Sequence, residues 1–414
     1  MPAPVEPTSL PTDVRSPWVL LRSVSPHPFV YRKMLRQVDP AARPGDVVNL
    51  YDKGNRFFGK GLYNPRSQIC VRMLSRDAAP LDDAFWRGRL EQAVLLRRQL
   101  RLDEVTDAYR LVHAEGDDLS GLIVERYADC LVFEFFALGM FQRRERLAAL
   151  LGEILGRPTA LDRPEAASAK WRVFWRADAR IEQIEGFHLP GGPREWEAAA
   201  PRVIIREHGL RYRVDVKHGH KTGFFCDQRE NRRRLAALCR DATVLDLCCY
   251  TGGFALAARK LGGARDVIGV DLDEAAVALA HENANLNQVR VDFVHADAFS
   301  FVRQMLVNRR TFDVVVLDPP KLAAYRAELE EALHKYHDLN HLALQAVRPG
   351  GLLLTCSCSG LVSPPTFLDA VCRAAQRAGR GLQLLDQSGA APDHPILPRC
   401  PESSYLKALW FRVL

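Results

Sequence analysis

The period of the hydrophobic positions changes along this chain, and each change predicts a different kind of element. From Trp18 to about Asp77, short alternating runs such as VVNLY, FFGKGLY and QICVRML are broken by PGD, DKGN and NPRS. A period of two punctuated by Gly, Pro, Asn and Asp predicts a small, mostly β unit. After DAAPLDD the period lengthens, and FWRGRLEQAVLLRRQLRL carries its apolar residues at helical spacing. Strand candidates around a turn follow in YRLVHAEGDDLSGLIVERYADCLVFEFF, then a helix in FQRRERLAALLGEILG and a second strand-rich portion toward IEGFHLP. This middle stretch predicts an α+β unit, and GGPREW a loop behind it.

From Val244 onward, apolar runs alternate with helical patterns. ATVLDLCCYTGGFALAARKLG predicts strand, glycine turn and helix; DVIGVDLDEAAVALAHENANLN repeats the pattern; FDVVVLDPPK and GLLLTCSCSG supply further strands. Such alternation predicts an α/β, parallel, doubly wound sheet, Rossmann-like in kind. The expected organisation is a flexible lead-in over 1–16, a β module over 17–78, a central α+β domain over 79–198 and a Rossmann-like domain over 199–414. A chain of 414 residues exceeds what one core usually holds, in keeping with several domains.

In a sheet of this kind ligands bind beyond the carboxyl ends of the strands, so the residues ending each run are the site candidates. Cys249, Tyr250, Thr251, Gly252 and Gly253 form a turn after VLDL, and its glycines let a ligand approach the backbone. Such a turn occurs in nucleotide-binding domains of many kinds. Asp271 ends the second run, where a carboxylate can accept both hydroxyls of a ribose. Asp297, in VHADAF, follows the third, beside the place of an adenine; a helix N-cap is its ordinary structural alternative. Asp273 is better placed than Asp271 to cap the next helix. The fourth run ends Asp318-Pro319-Pro320-Lys321, and the fifth carries Cys356 and Cys358 in LLLTCSCSGLV.

Composition narrows the field further. A net charge of +7 and a pI near 8.9 suit a polyanionic partner but also many ordinary proteins. Ten cysteines without a CxxC, and without Cys/His spacing for zinc or an iron–sulfur cluster, point to a reduced, cytoplasmic setting with no metal centre. The first residues lack the pattern of a signal peptide, and CLVFEFFALGMF is too short to span a bilayer and carries Glu134.

DLCCYTGGF, VDLD, DPPK and SCSG, in that order, resemble the class I S-adenosylmethionine-dependent methyltransferases, specifically the RlmI-type group that methylates carbon 5 of cytosine in large-subunit ribosomal RNA. YRLVHAEGDDLSGLIVERY is similar to the group's central domain, HGHKTGFFCDQRENR to its lead-in to the catalytic fold, HPFVYRKML with GKGLYNPRSQICVRML to its PUA-like module, and DHPILPRCPESSYLKALWFRV to its final strands. The resemblance implies S-adenosylmethionine as cofactor, held by Tyr250, Thr251, Gly252, Gly253, Asp271 and Asp297, with Asp246 positioning the first loop and Phe224, Gln228 and Arg229 closing the site. It implies Cys358 as a nucleophile toward carbon 6 of cytosine, Asp318 at the amino edge of the base, and Lys321 near the RNA backbone or the thiolate. Cys356 is read as packing. Arg229, Arg232, Arg233 and Arg234 form either a solvated helix face or, beside such an enzyme, a track for phosphates. The expected partner is ribosomal RNA with a single-stranded or flipped cytosine; no membrane is expected, and a homodimer is left open. Two other readings remain: a methyltransferase acting on another base or position without a thiol adduct, and a non-catalytic RNA-binding or ribosome-assembly protein that keeps the cofactor fold as a scaffold.

Overall fold

The computed structural model describes residues 14–156, 159–160, 170–189, 202–216, 223–323 and 325–414. Most of the expected lead-in, the GGPREW loop, the HGHKT segment and the expected 198/199 boundary lie outside the described residues.

Six strands between Trp18 and Ser75 form the first sheet, with Val19, Leu21, Val48, Leu50 and Val71 in its core. A helix over Asp83–Gln99 follows, started by Asp82, whose carboxylate accepts from the amides of Ala84 and Phe85. With the helix Arg144–Ile154 it packs on a five-stranded sheet that includes Ala108–His113, Leu122–Tyr127, Cys130–Phe135 and Trp171–Arg176. The strand-rich portion ends earlier than its pattern suggested. Ala179–Glu185 is a helix, because Asp178 caps its start and Gly186, at φ 76°, takes the left-handed turn at its end.

A hairpin of Arg202–Glu207 and Leu210–Asp215 leads to the third sheet. Its seven strands, numbered here within this sheet, are β1 (Thr243–Leu247), β2 (Asp266–Asp271), β3 (Asp292–His295), β4 (Phe312–Leu317), β5 (Val347–Ser357), β6 (Leu382–Ser388) and β7 (Lys407–Val413). They lie side by side in the order β3-β2-β1-β4-β5-β7-β6. Strands β1 to β5 are parallel, as the alternation predicted, and the helices between them make the two covering layers. Strand β7 is antiparallel to both β5 and β6. Between β6 and β7 the chain has one short turn of helix, Pro401–Ser403, and no crossover helix that would bring it back in the same direction. The first residue of β7 therefore lies at the edge where β5 ends, with Lys407 opposite Ser357.

Candidate active site

The carboxyl ends of β1 to β5 share one edge with the start of β7. On the β1 side the chain leaves the strand through a turn with three positive φ angles, at Cys248 (60°), Tyr250 (48°) and Gly252 (85°). At Gly252 a Cβ would lie 2.6 Å from the Phe293 ring, so position and backbone angle both demand glycine. The Tyr250 amide donates to Asp271 Oδ2 at 2.7 Å, and the Asp273 amide to Asp271 Oδ1 at 2.9 Å. The Asp273 carboxylate caps the following helix, as expected. Asp297 also acts as a cap, its Oδ2 accepting from the Ser300 amide and hydroxyl. Behind the turn, Asp246 is fully buried and accepts from the Ala255 amide at 2.9 Å. Burial pushes its carboxyl well above the usual range, with Asp318 and Asp271 adding to the effect.

These residues fit a ligand with a ribose and a positive charge. Among the described residues, Asp246 Oδ1 and Thr251 Oγ1 are buried without a hydrogen-bond partner. Carboxylates end β2 and follow β3 and β4, where they can accept from hydroxyl or amino groups and offset a cation.

On the β4–β5 side the SCSG alternation sorts its side chains by face. Ser357 donates its hydroxyl to the Tyr336 oxygen at 3.0 Å, and Ser359 Oγ lies 3.0 Å from the same atom. Ser359 Oγ also accepts the amides of Leu322 and Ala323, both at 3.1 Å, and so pins the loop that follows DPPK. The cysteines take the other face. Cys356 is fully buried in the core, where burial raises its thiol well above the normal value. Cys358 is half-buried, with Sγ 3.9 Å from the Pro319 carbonyl of the Asp318 loop. Asp318 Oδ2 accepts from the Gln228 side-chain amide at 3.0 Å, and Lys321 is exposed on the same loop. Gln228 is fixed in turn by Asn231 at 2.6 Å. Cys358, Asp318 and Lys321 are thus brought together at one edge.

Three lead-in residues stand elsewhere than the sequence suggested. The Phe224 ring is buried between Tyr212 and the Arg232 guanidinium, and it is Phe225 that meets Tyr250, at 5.0 Å between centroids. Arg229 and Arg232 do not form a phosphate track. Arg229 is fully buried on Asp393 at 2.6 Å, and Arg232 on Glu207 at 2.6 Å. Arg233 and Arg234 remain exposed, paired with Glu230 and Asp386. The central domain meets the lead-in and the segment between β6 and β7 through buried polar contacts. Arg97 donates to the Asp393 carbonyl at 2.7 Å, the Arg110 amide to Asp393 Oδ2 at 2.8 Å, and Tyr127 to the Phe224 carbonyl at 3.2 Å. Burial alone would raise the Asp393 carboxyl; His394 and Arg229 reverse that and hold it well below the carboxylate range.

Sequence reasoning missed Lys407, Tyr336 and Ser359. Lys407 had a signal, as a cation opening the apolar strand KALWFRV. The other two had none, since the contact between Tyr336 and Ser359 exists only once β5 is in place. One group of three potential metal ligands occurs among the described residues: His27, Cys400 and Glu402. The Phe29 amide donates to His27 Nδ1 at 3.0 Å, which leaves the ring proton on Nε2, 3.0 Å from Glu402. This tautomer presents a donor rather than a lone pair, so the group clasps the first sheet to the C-terminal segment. No helix among the described residues is long and apolar enough to cross a membrane.

Comparison with known proteins agrees with this architecture. The S-adenosylmethionine-dependent methyltransferase family matches residues 175–412 and a PUA-like domain matches residues 24–76. Ribosomal RNA large subunit methyltransferase I of Cronobacter sakazakii is 35% identical over 392 residues, 94% of this chain and 96% of that protein. The Citrobacter koseri protein of the same name is 35% identical over 393 residues, again 94% and 96%. A solved protein assigned as a methyltransferase, complexed with SAH, superposes with a TM-score of 0.77 at 21% identity, covering 94% of this chain and 96% of its own. The chain therefore belongs to the ribosomal RNA large subunit methyltransferase I family of S-adenosylmethionine-dependent methyltransferases, with a PUA-like domain at its N-terminal end.

Proposed function

We propose that the protein methylates carbon 5 of a cytosine in large-subunit ribosomal RNA through a transient bond between Cys358 and carbon 6 of the base. The observation that carries this reading is the contrast within SCSG: Cys356 is sealed in the core, while Cys358 is half-exposed beside the Asp318 loop. The relatives' name supports ribosomal RNA as the substrate class.

The chemistry explains why a thiol belongs at this edge. Carbon 5 of cytosine is a weak nucleophile, and adding a nucleophile at carbon 6 makes the ring enamine-like. The Cys358 thiolate forms the S–C6 bond while the C5=C6 π pair becomes available at carbon 5. S-adenosylmethionine supplies a methyl on a positive sulfur, whose bonding pair stays behind on that sulfur when the methyl moves. A base then takes the carbon 5 proton, the C5–H pair restores C5=C6, and the S–C6 pair returns to Cys358. Asp318, held by Gln228, accepts a hydrogen bond from the base's exocyclic amino group. Lys321 meets the RNA backbone. On the cofactor side, Asp271 takes the ribose, Asp297 the adenine end, and the Tyr250–Gly253 turn the remainder. The target cytosine has to leave any stack to reach Cys358, and the PUA-like domain adds grip on the RNA outside the site.

The test is transfer of a labelled methyl group to ribosomal RNA lacking the modification, followed by nucleoside analysis, for wild type and Cys358→Ala. Label in 5-methylcytosine that vanishes in the variant is the expected result. Label in another nucleoside, or full activity without Cys358, would replace this reading by methylation without an adduct.

A further inference from the structure

Lys407 is a charged residue in a place where charge is costly. Because β7 runs antiparallel to β5, its first residue sits against the end of the strand that carries the reactive cysteine. It is 4% exposed. Its Nζ donates to the carbonyls of Ser359, at 2.6 Å, and Tyr405, at 2.8 Å. The ammonium is thus tied to the residue directly after Cys358. Among the described residues it pairs with no carboxylate, although an isolated buried ammonium is strongly disfavoured. Burial draws the group down to about 8; Cys358 opposes that shift and Lys321 adds to it. Lys407 leaves β7 on the serine face, opposite Ser357, and its ammonium reaches past the end of β5 to the Ser359 carbonyl. There a thiolate at Cys358 would complete the pair, since a nearby cation is what lowers a thiol's pKa.

We propose that Lys407 is a positioning residue that fixes the turn after β5 and holds Cys358 in its thiolate form. This rests on the adduct reading above and names a group that makes the adduct feasible near neutral pH. The other titratable groups around the thiol divide by sign. Asp318, in the loop whose Pro319 carbonyl lies 3.9 Å from the thiol, works against a thiolate, and Asp227 of the lead-in segment accepts from the Tyr405 hydroxyl at 2.6 Å. Tyr336, Tyr405 and Cys356 remain protonated, because burial raises each of them. Lys321 is exposed, where solvent and salt screen its charge. Lys407 is the buried cation of the set, so its field is the least screened.

The experiment is the pH dependence of Cys358 alkylation by iodoacetamide in the full chain, read by mass spectrometry on the Cys358 peptide. It compares wild type, Lys407→Gln and Lys407→Arg, with melting temperature and S-adenosylmethionine affinity measured alongside. The wild-type midpoint is expected below the free-thiol value of about 8.5. Lys407→Gln is expected to raise the midpoint by about one unit, which lowers the alkylation rate at pH 7 about tenfold. Its kcat should fall in parallel while cofactor affinity holds, and Lys407→Arg should keep the wild-type midpoint. A Lys407→Gln profile that overlays the wild type would overturn the proposal. So would a wild-type midpoint at or above the free-thiol value, which decides the matter even if Lys407→Gln does not fold. Failure of the adduct reading would show separately, as 5-methylcytosine still formed by Cys358→Ala.

Discussion

The ends of β1, β2 and β3 and, beside them, the ends of β4 and β5 with the start of β7 meet at one edge of one sheet but are held by different means. On the cofactor side the bonds are mostly local: Asp273 to Asp271 spans two residues, Ser300 to Asp297 three, and Ala255 to Asp246 nine. On the thiol side they are long. Gln228 reaches Asp318 across 90 residues, Lys407 reaches Ser359 across 48, and Ser359 reaches Leu322 across 37. A turn with the right residues can largely shape itself, whereas the surroundings of Cys358 exist only when the whole domain has assembled. The two sides should therefore fail differently when perturbed.

The largest expected effect is on the thiol side alone. Cys358→Ala should reduce methyl transfer on the order of 10⁴-fold or more and leave cofactor affinity unchanged. Calorimetric titration with SAH, run beside the transfer assay, checks both halves of that statement. Next is Gly252→Val, which places a branched side chain at a positive φ and against Phe293. It should weaken cofactor binding more than about tenfold and destabilise the fold by about 2–4 kcal/mol, with the midpoint of Cys358 alkylation unmoved. Gln228→Ala sharpens the contrast from the other direction. It strips a partner from Asp318 and Asn231, so about 1–3 kcal/mol should be lost, and kcat should fall about tenfold, the equivalent of ~1.4 kcal/mol, with cofactor affinity retained. The smallest effect is in the pH profile. Lys407, drawn down to about 8 chiefly by burial, is charged below that pH and neutral above it. The thiolate fraction rises with pH whatever the charge on Lys407, so Lys407→Gln should trail wild type in kcat most below about pH 8 and approach it above, while Lys407→Arg, which stays charged, should follow wild type throughout.

The same division explains what could be read from the sequence. The strand and helix alternation, the Asp273 cap and the burial of Cys356 follow from local pattern and residue chemistry, and the structure has them. The arginine run is the opposite case. Its spacing is that of a solvated helix face, yet Arg229 and Arg232 turn inward because Asp393 and Glu207 arrive from 164 and 25 residues away. Nothing near positions 229 to 232 announces those partners. The direction of β7 was hidden for a related reason, since it depends on the missing crossover after β6 rather than on the strand's own residues. Lys407 was legible as an oddity, a cation leading an apolar strand; its place opposite Ser357, bonded to the Ser359 carbonyl, was not, because that needs the antiparallel pairing.

The bond between Cys358 and the base can be trapped. With RNA carrying 5-fluorocytidine at the target position, methyl transfer would leave fluorine where the departing proton should be, and elimination would stop at the adduct. Wild-type protein with S-adenosylmethionine should give a protein–RNA species that survives denaturing electrophoresis and contains Cys358 joined to the nucleotide, and Cys358→Ala should give none. Complete methylation of the unsubstituted RNA together with no trapped species from the fluorinated one would rule out the thiol adduct.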